Sequence, residues 1–430
     1  MEKKEYGIYA QRRQELVASL KKEYPSLKTG AVLLSANYES DRIRFLQDST
    51  FYYFTGINEP GMQLLLNLDG TSVLYLPKFK QNRSLWVKGG IELSPEWKKQ
   101  LLVDDIRFLG KAGMSYSPTP FFDQALWQDL LANLSGIINK AGKIFIAKAD
   151  DGLSRFGQTI VQRKLMQLLP TMEQNVCDIS SVIASMRRSK SNDEIESLYN
   201  ACDITSVAHE AAASLIEPGQ TEARVRAGIE YVFTEAEARP AYPSIVASGH
   251  NATVLHYSDC TGELKAGDLV VVDVGAQYEQ YCADITRTYP VSGKFTARQR
   301  ELYQIVLDTQ EYIADLAKPG LWLSNPDEQD ASLHHLACKF LKERGDYDRY
   351  FPHGLGHFLG LDVHDVGDHN KPLEAGDVIT IEPGLYLPKE GIGIRIEDNF
   401  WITPKGAVCL SHDLARSVDD IYELVQSNFN

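Results

Sequence analysis

The sequence predicts a two-domain α+β protein, with a smaller αβ domain over residues 1–172 and a larger domain over residues 173–430. Three observations carry this. Helix and strand periodicities alternate up to Pro170, the pattern then breaks, and the second half contains two related segments, AGDLVVVDVG from Ala266 and AGDVITIEPG from Ala375. The length of 430 residues is ample for two buried cores, and 43% hydrophobic with 24% charged residues is ordinary globular composition.

In the first domain, helical spacing of apolar residues covers residues 10–22 and a strand follows at 31–35. FYYFTGINEPG reads as an aromatic strand running into a turn, and strands at 62–68 and 72–76 flank Asp69-Gly70, a strong hairpin signal. The boundary is expected within residues 170–180. Beyond it, a long helix is capped by Ser191 or Asn192 and ends at Pro218-Gly219.

The duplicated segments place Asp273 and Glu382 at matching positions in two strands. Each strand turns into a second one that bears another acid, Asp284 in YCADITRTYPV and Glu397 in GIGIRIEDNFWI. Two αβ halves facing each other would therefore gather four carboxylates near a pseudo-two-fold axis. Strand alternation puts Asp284 on a face with Cys282 and Thr286, and Glu397 on a face with Arg395 and Asn399. Acids within such apolar strands are costly to bury unless cations compensate them.

FPHGLGHFLGLDVH adds His353, His357 and His364 among glycines that oppose a helix. GLGHFLG lacks the Lys-Ser/Thr of a phosphate loop. The four carboxylates match the charge of two divalent cations, His357 adds a neutral ligand, and there is room for a bridging hydroxide. Carboxylate-rich ligation with one imidazole favours Mn²⁺, with Co²⁺, Zn²⁺ or Fe²⁺ admissible, and a metal pair about 3.5–4 Å apart is a hydrolytic device.

The net charge of −14 disfavours nucleic acid and anionic membrane surfaces as partners. No apolar run approaches the ~20 residues of a membrane-spanning helix, and MEKKEYGIYAQRRQEL lacks the apolar core of a signal peptide, so a cytoplasmic protein is expected. The six cysteines form no CxxC pair and read as reduced and structural.

LHY at residues 255–257, VVDVG with ADITRTYPV, HGLGHFLGLDVHDVG at 353–367, IEPGLY at 381–386 and GIRIEDN at 393–399 together resemble the pita-bread metallopeptidases, in the aminopeptidase P and prolidase branch. YAQRRQEL and FYYFTGINEPG are similar to the smaller amino-terminal domain of these enzymes. The resemblance implies the pita-bread (creatinase/aminopeptidase) fold for the second domain. It also implies a site in which Asp273 binds one metal, His357 and Glu382 the other, and Asp284 and Glu397 both. His256, His353, His364 and Arg395 are then expected to line the substrate cleft, with Glu382, His364 and His256 catalytic: Glu382 handles the proton of the attacking water and His364 helps hold the scissile carbonyl.

The substrates implied are proline-containing peptides cleaved between the first residue and proline, by a homo-oligomer, dimer or tetramer. Trp86, in SLWVKGG, falls near a family tryptophan that reaches a neighbouring subunit's site. Gly356 is prolidase-like, but prolidases commonly place an arginine between the positions of His364 and Asp377, where DVGDHNKPLEAG offers only Lys371. A flexible lysine holds a dipeptide carboxylate less specifically than a bidentate arginine, which favours the aminopeptidase over the Xaa-Pro dipeptidase reading. A non-catalytic binding module of the same fold is disfavoured because all five ligands are in place.

Overall fold

The computed structural model describes residues 6–40, 42, 44–80, 83–87, 90–113, 116–117, 124–148 and 156–426. The first five residues, and Lys88-Gly89 of the Trp86 segment, lie outside them. The chain divides into two compact units between Met186 and Arg187.

The first unit opens with α1 (Gly7–Glu23) and β1 (Gly30–Ser35), followed by α2 (Ser49–Thr55), β2 (Gln63–Asn67) and β3 (Ser72–Leu76). It continues through α3 (Pro95–Leu101), β4 (Asp105–Phe108), α4 (Gln128–Asn139), β5 (Lys143–Ile146), α5 (Phe156–Leu168) and β6 (Val176–Asp178) into α6 (Ser180–Arg188). The strands form one sheet in the order β4-β3-β2-β1-β5-β6. β2 and β3 are the expected hairpin: Asp69 Oδ1 accepts from the Thr71 amide at 2.9 Å and Gly70 takes φ +99°. Residues 176–178, expected with the second domain, instead form β6, which pairs parallel to β5.

FYYFT is not a strand. It forms most of α2, where the Asp48 carboxylate caps the Phe51 amide at 2.7 Å and Gly56 closes the helix at φ +65°, its amide donating to Tyr52 O. Residues 50–55 are all buried, so no polar stripe marks the helical period. Two buried arginines of α1 complete the far end: Arg12 donates to Tyr53 O at 3.1 Å and Arg13 to Phe54 O at 2.8 Å, cations on the terminal carbonyls. Replacing Asp48 by alanine is expected to cost about 1–2 kcal/mol and to lower the first melting transition by a few degrees in a calorimetric scan. An unchanged transition would show that the arginines suffice.

The second unit is built twice. The first half comprises α7 (Asn192–Ala213), α8 (Glu222–Glu235), β7 (Arg239–Pro240), β8 (Ile245–Ser248), β9 (Leu269–Val274), β10 (Ala276–Tyr278), β11 (Tyr281–Cys282) and β12 (Ile285–Pro290). The second comprises α9 (Ala297–Leu316), α10 (Leu333–Glu343), β13 (Val378–Ile381), β14 (Gly384–Leu387), β15 (Ile392–Arg395), β16 (Asp398–Thr403) and β17 (Gly406–Cys409), closed by α11 (Val418–Gln426). Each half thus lays two helices before its strands.

α7 begins at a Ser191–Glu194 capping box and stops at Ala213, one turn before the Pro218-Gly219 at which it was expected to end. In the first half β8, β9 and β12 form an antiparallel sheet, and in the second β13, β16 and β17 do the same. An antiparallel bridge between Thr286 and Glu397 joins the halves. One continuous core, including Val225, Phe233, Val270, Val272, Leu302, Val306, Ile379 and Ile394, runs through both.

Candidate metal centre

Asp273 occupies the penultimate position of β9, opposite Thr286 of β12. Glu382, expected inside a strand, follows the last residue of β13, because Pro383 offers no N–H to continue the ladder. Asp284 likewise lies in a gap between β11 and β12, and Glu397 between β15 and β16. The strands break at the acids. In place of a strand partner, the Asn399 side-chain amide accepts from the Asp284 N–H at 3.1 Å and donates to its carbonyl. Glu397 keeps its backbone bonds to Thr286 in both directions.

These breaks let the four carboxylates converge. Tyr242 Oη lies 2.6 Å from both Asp273 Oδ1 and Asp284 Oδ1, so one hydroxyl serves two acids. Thr286 donates to Glu397 Oε2 at 2.6 Å and Thr380 to Glu382 Oε1 at 3.2 Å. His357 Nε2 lies 3.4 Å from Asp284 Oδ2 and 3.5 Å from Glu382 Oε1, while its Nδ1 faces Phe358 O at 3.0 Å. Ligand atoms of Asp284, His357 and Glu397 fall within 4.8 Å of one another.

The electrostatics match a site made for cations. Burial, then Asp284, Glu382 and Asp273, push Glu397 well above the carboxylate range. Glu382 is pushed up to about 7, mainly by burial, and Asp273 is raised by burial in spite of Arg395. Burial alone would lower His357, but the Asp284 and Glu382 carboxylates raise it to about 9. The oxygen-rich donor set with one imidazole fits hard divalent ions, which would relieve this crowding.

The remaining expected residues surround the cluster. Arg395 is buried, with Nη2 on Asp273, Nη1 on Tyr386 Oη at 2.7 Å and Nε on Thr286 at 3.2 Å, so its guanidinium is committed to the site's framework. His353 Nδ1 faces Gly354 O at 2.8 Å, which leaves Nε2 to accept from Tyr386 Oη at 3.0 Å; burial and Arg395 bring its pKa down to about 4. His364 is exposed, its ring centroid 4.3 Å from that of His357. His256 is exposed as well and lies close enough to act electrostatically on both His353 and His364, adding to the larger effects of burial.

Cys282 does not share the Asp284 face: its Sγ points to Leu361 O at 3.5 Å, because the chain bends between β11 and β12. Tyr242, Thr380 and Tyr386 escaped the sequence reading. Tyr242 sits in AYPS with no local signal, whereas Tyr386 lay in IEPGLY without a role. Trp86, in the first unit, is 62% exposed and stacks on Tyr116 at 4.8 Å.

Residues 196–404 match the model of metallopeptidase family M24, and residues 9–113 match the aminopeptidase P N-terminal domain. The chain is 33% identical to the Xaa-Pro aminopeptidase of Escherichia coli over 97% of each sequence. It is 41% identical to the Xaa-Pro dipeptidase of Pyrococcus furiosus, over 53% of this chain and 64% of that one. Among solved structures, proline aminopeptidase P II from Yersinia pestis superimposes with a TM-score of 0.80 at 31% identity, over 98% of this chain and all of that one.

Proposed function

Since the chain belongs to metallopeptidase family M24, in its aminopeptidase P branch with the pita-bread fold, we propose that it hydrolyses the bond between an amino-terminal residue and proline in peptides. The observation that carries this reading is the convergence of Asp273, Asp284, His357, Glu382 and Glu397 across the seam of a duplicated domain.

Asp273, Asp284, His357, Glu382 and Glu397 would hold two divalent ions, manganese first among them. When bound, such ions polarise a carbonyl and acidify water. Glu382 takes the proton of the attacking water as its oxygen adds to the scissile carbonyl, then passes that proton to the proline nitrogen as the bond breaks. That nitrogen carries no hydrogen in the substrate, so this proton makes it a secondary amine. His364, beside His357 at the exposed mouth, donates to the oxygen where negative charge develops. His256 and His353 bind the peptide, while Arg395 orients Asp273 and Tyr386.

Lys371, the cation expected to meet a dipeptide carboxylate, is paired with Asp368 at 3.1 Å on an exposed turn. This supports the aminopeptidase over the dipeptidase. Stripping the protein with a chelator and restoring Mn²⁺ should abolish and restore release of alanine from Ala-Pro-Ala, and Ala-Pro should be cleaved at least about tenfold more slowly. Faster cleavage of Ala-Pro would make it a prolidase, and cleavage indifferent to metal would reject the reading. We further infer a cytoplasmic dimer or tetramer. Among the described residues no helix is long and apolar enough to cross a membrane, and exposed Trp86 is available for a neighbouring subunit.

A further inference from the structure

His256 lies in a long irregular stretch, residues 249–268, between β8 and β9, whose only regular element is a single 3₁₀ turn at Gly249–Thr253. Such a segment would ordinarily be mobile. Here it closes around one carboxylate that belongs to neither the strands nor the metal centre.

Glu222 opens α8, directly after the Thr221 cap, and is fully buried. Its Oε1 accepts from the Ser248 amide at 2.7 Å, the Ser248 hydroxyl at 2.8 Å and Asn251 Nδ2 at 3.0 Å. Its Oε2 accepts from Tyr257 Oη at 2.8 Å and the Gly262 amide at 2.6 Å. The five donors come from Ser248 at the end of β8 and from Asn251, Tyr257 and Gly262 of the stretch that follows, and Tyr257 is the residue next to His256. The Glu222 amide also donates to Gly262 O at 3.0 Å, and a Cβ on Gly262 would lie 2.7 Å from Glu222 Oε1, so only glycine allows this approach. Burial would raise the Glu222 pKa, but the donors from Asn251, Ser248 and Gly262 hold it below the ordinary carboxylate value. A buried anion that accepts five bonds is a rigid anchor.

We propose that Glu222 is a positioning residue for peptide hydrolysis, fastening the 248–262 segment so that His256 stands over the substrate cleft. This rests on the reading of His256 as a substrate-binding residue. Glutamine at position 222 would turn an –NH₂ toward donors on one side or the other, releasing that side of the segment while leaving the metal ligands untouched.

The test is a double-mutant cycle on the full manganese-loaded chain with Ala-Pro-Ala. Glu222→Gln and His256→Ala are each expected to lower kcat/KM about tenfold, while the double variant stays within about twofold of His256→Ala, because an anchor has nothing left to position. Manganese affinity by calorimetry should be unchanged in Glu222→Gln. Losses that multiply in the double variant, or lost metal affinity, would mean that Glu222 only supports the fold, and either result overturns the proposal. Should Glu222→Gln fail to fold, Tyr257→Phe removes one of the five bonds; a loss of about threefold that vanishes in the His256→Ala background carries the same conclusion. If His256→Ala itself leaves kcat/KM intact, the proposal falls with the role of His256, while metal-dependent cleavage stands.

Discussion

Asp284→Asn is expected to empty the metal centre and to lower kcat/KM for Ala-Pro-Ala by more than about a thousandfold. The substitution keeps the shape of the side chain and removes one charge. Asp284 lies within reach of Tyr242, His357 and the Glu397 ligand atoms, so its carboxylate stands among the other members of the cluster. An amide there cannot supply the negative charge that divalent cations would require. The same change should leave the metal-free protein at least as stable, because one acid fewer crowds Glu397, Glu382 and Asp273, each already pushed upward by burial and by its neighbours. Elemental analysis and melting curves with and without Mn²⁺ read both effects. Full metal content in Asp284→Asn would refute the assignment of that residue.

The largest loss of stability is expected from Arg287→Met. Arg287 and Asp398 are both fully buried and paired at 2.7 Å. The guanidinium also donates to Thr286 O at 2.9 Å, Glu397 O at 2.8 Å and Ala415 O at 2.8 Å, so one side chain ties the strand ends that present two residues of the centre. Asp398 accepts as well from Ser411 at 2.6 Å and Gln310 at 3.0 Å, which do not neutralise it, while Arg416 lies 3.5 Å away. Removing Arg287 therefore leaves a buried anion with its principal cation gone, at a cost of about 3–5 kcal/mol. Denaturant unfolding followed by tryptophan fluorescence would measure it. A loss below about 1 kcal/mol would show that Arg416 takes over the pairing.

Much of the centre was legible in the sequence because its chemistry demands residues that its surroundings do not. Carboxylates in Val-Val-Val-Asp and Thr-Ile-Glu-Pro stand out against apolar strands, and the duplication aligned Asp273 with Glu382 before any geometry was known. What stayed hidden depends on partners far apart in the chain. The interruption at Asp284 is stabilised by Asn399, 115 residues on, and strand alternation alone therefore placed Cys282 on the wrong face. Tyr242 carries no motif, and its value lies in reaching Asp273 and Asp284 at once. In the first unit, α2 read as a strand because burial on every side erased its periodicity; Asp48 and Gly56, which cap it, were the surviving local signals.

The Thr286–Glu397 bridge lies where cation binding would be linked to folding. The acids come from both halves of the duplication, so an opening of that bridge would disperse them, and a cation held by them would oppose the opening. At a free ion concentration a hundredfold above its dissociation constant this linkage contributes about 2.7 kcal/mol. Resistance to proteolysis in the second unit should then track the supply of divalent ions, making the molecule's lifetime, as well as its turnover, responsive to how much metal surrounds it.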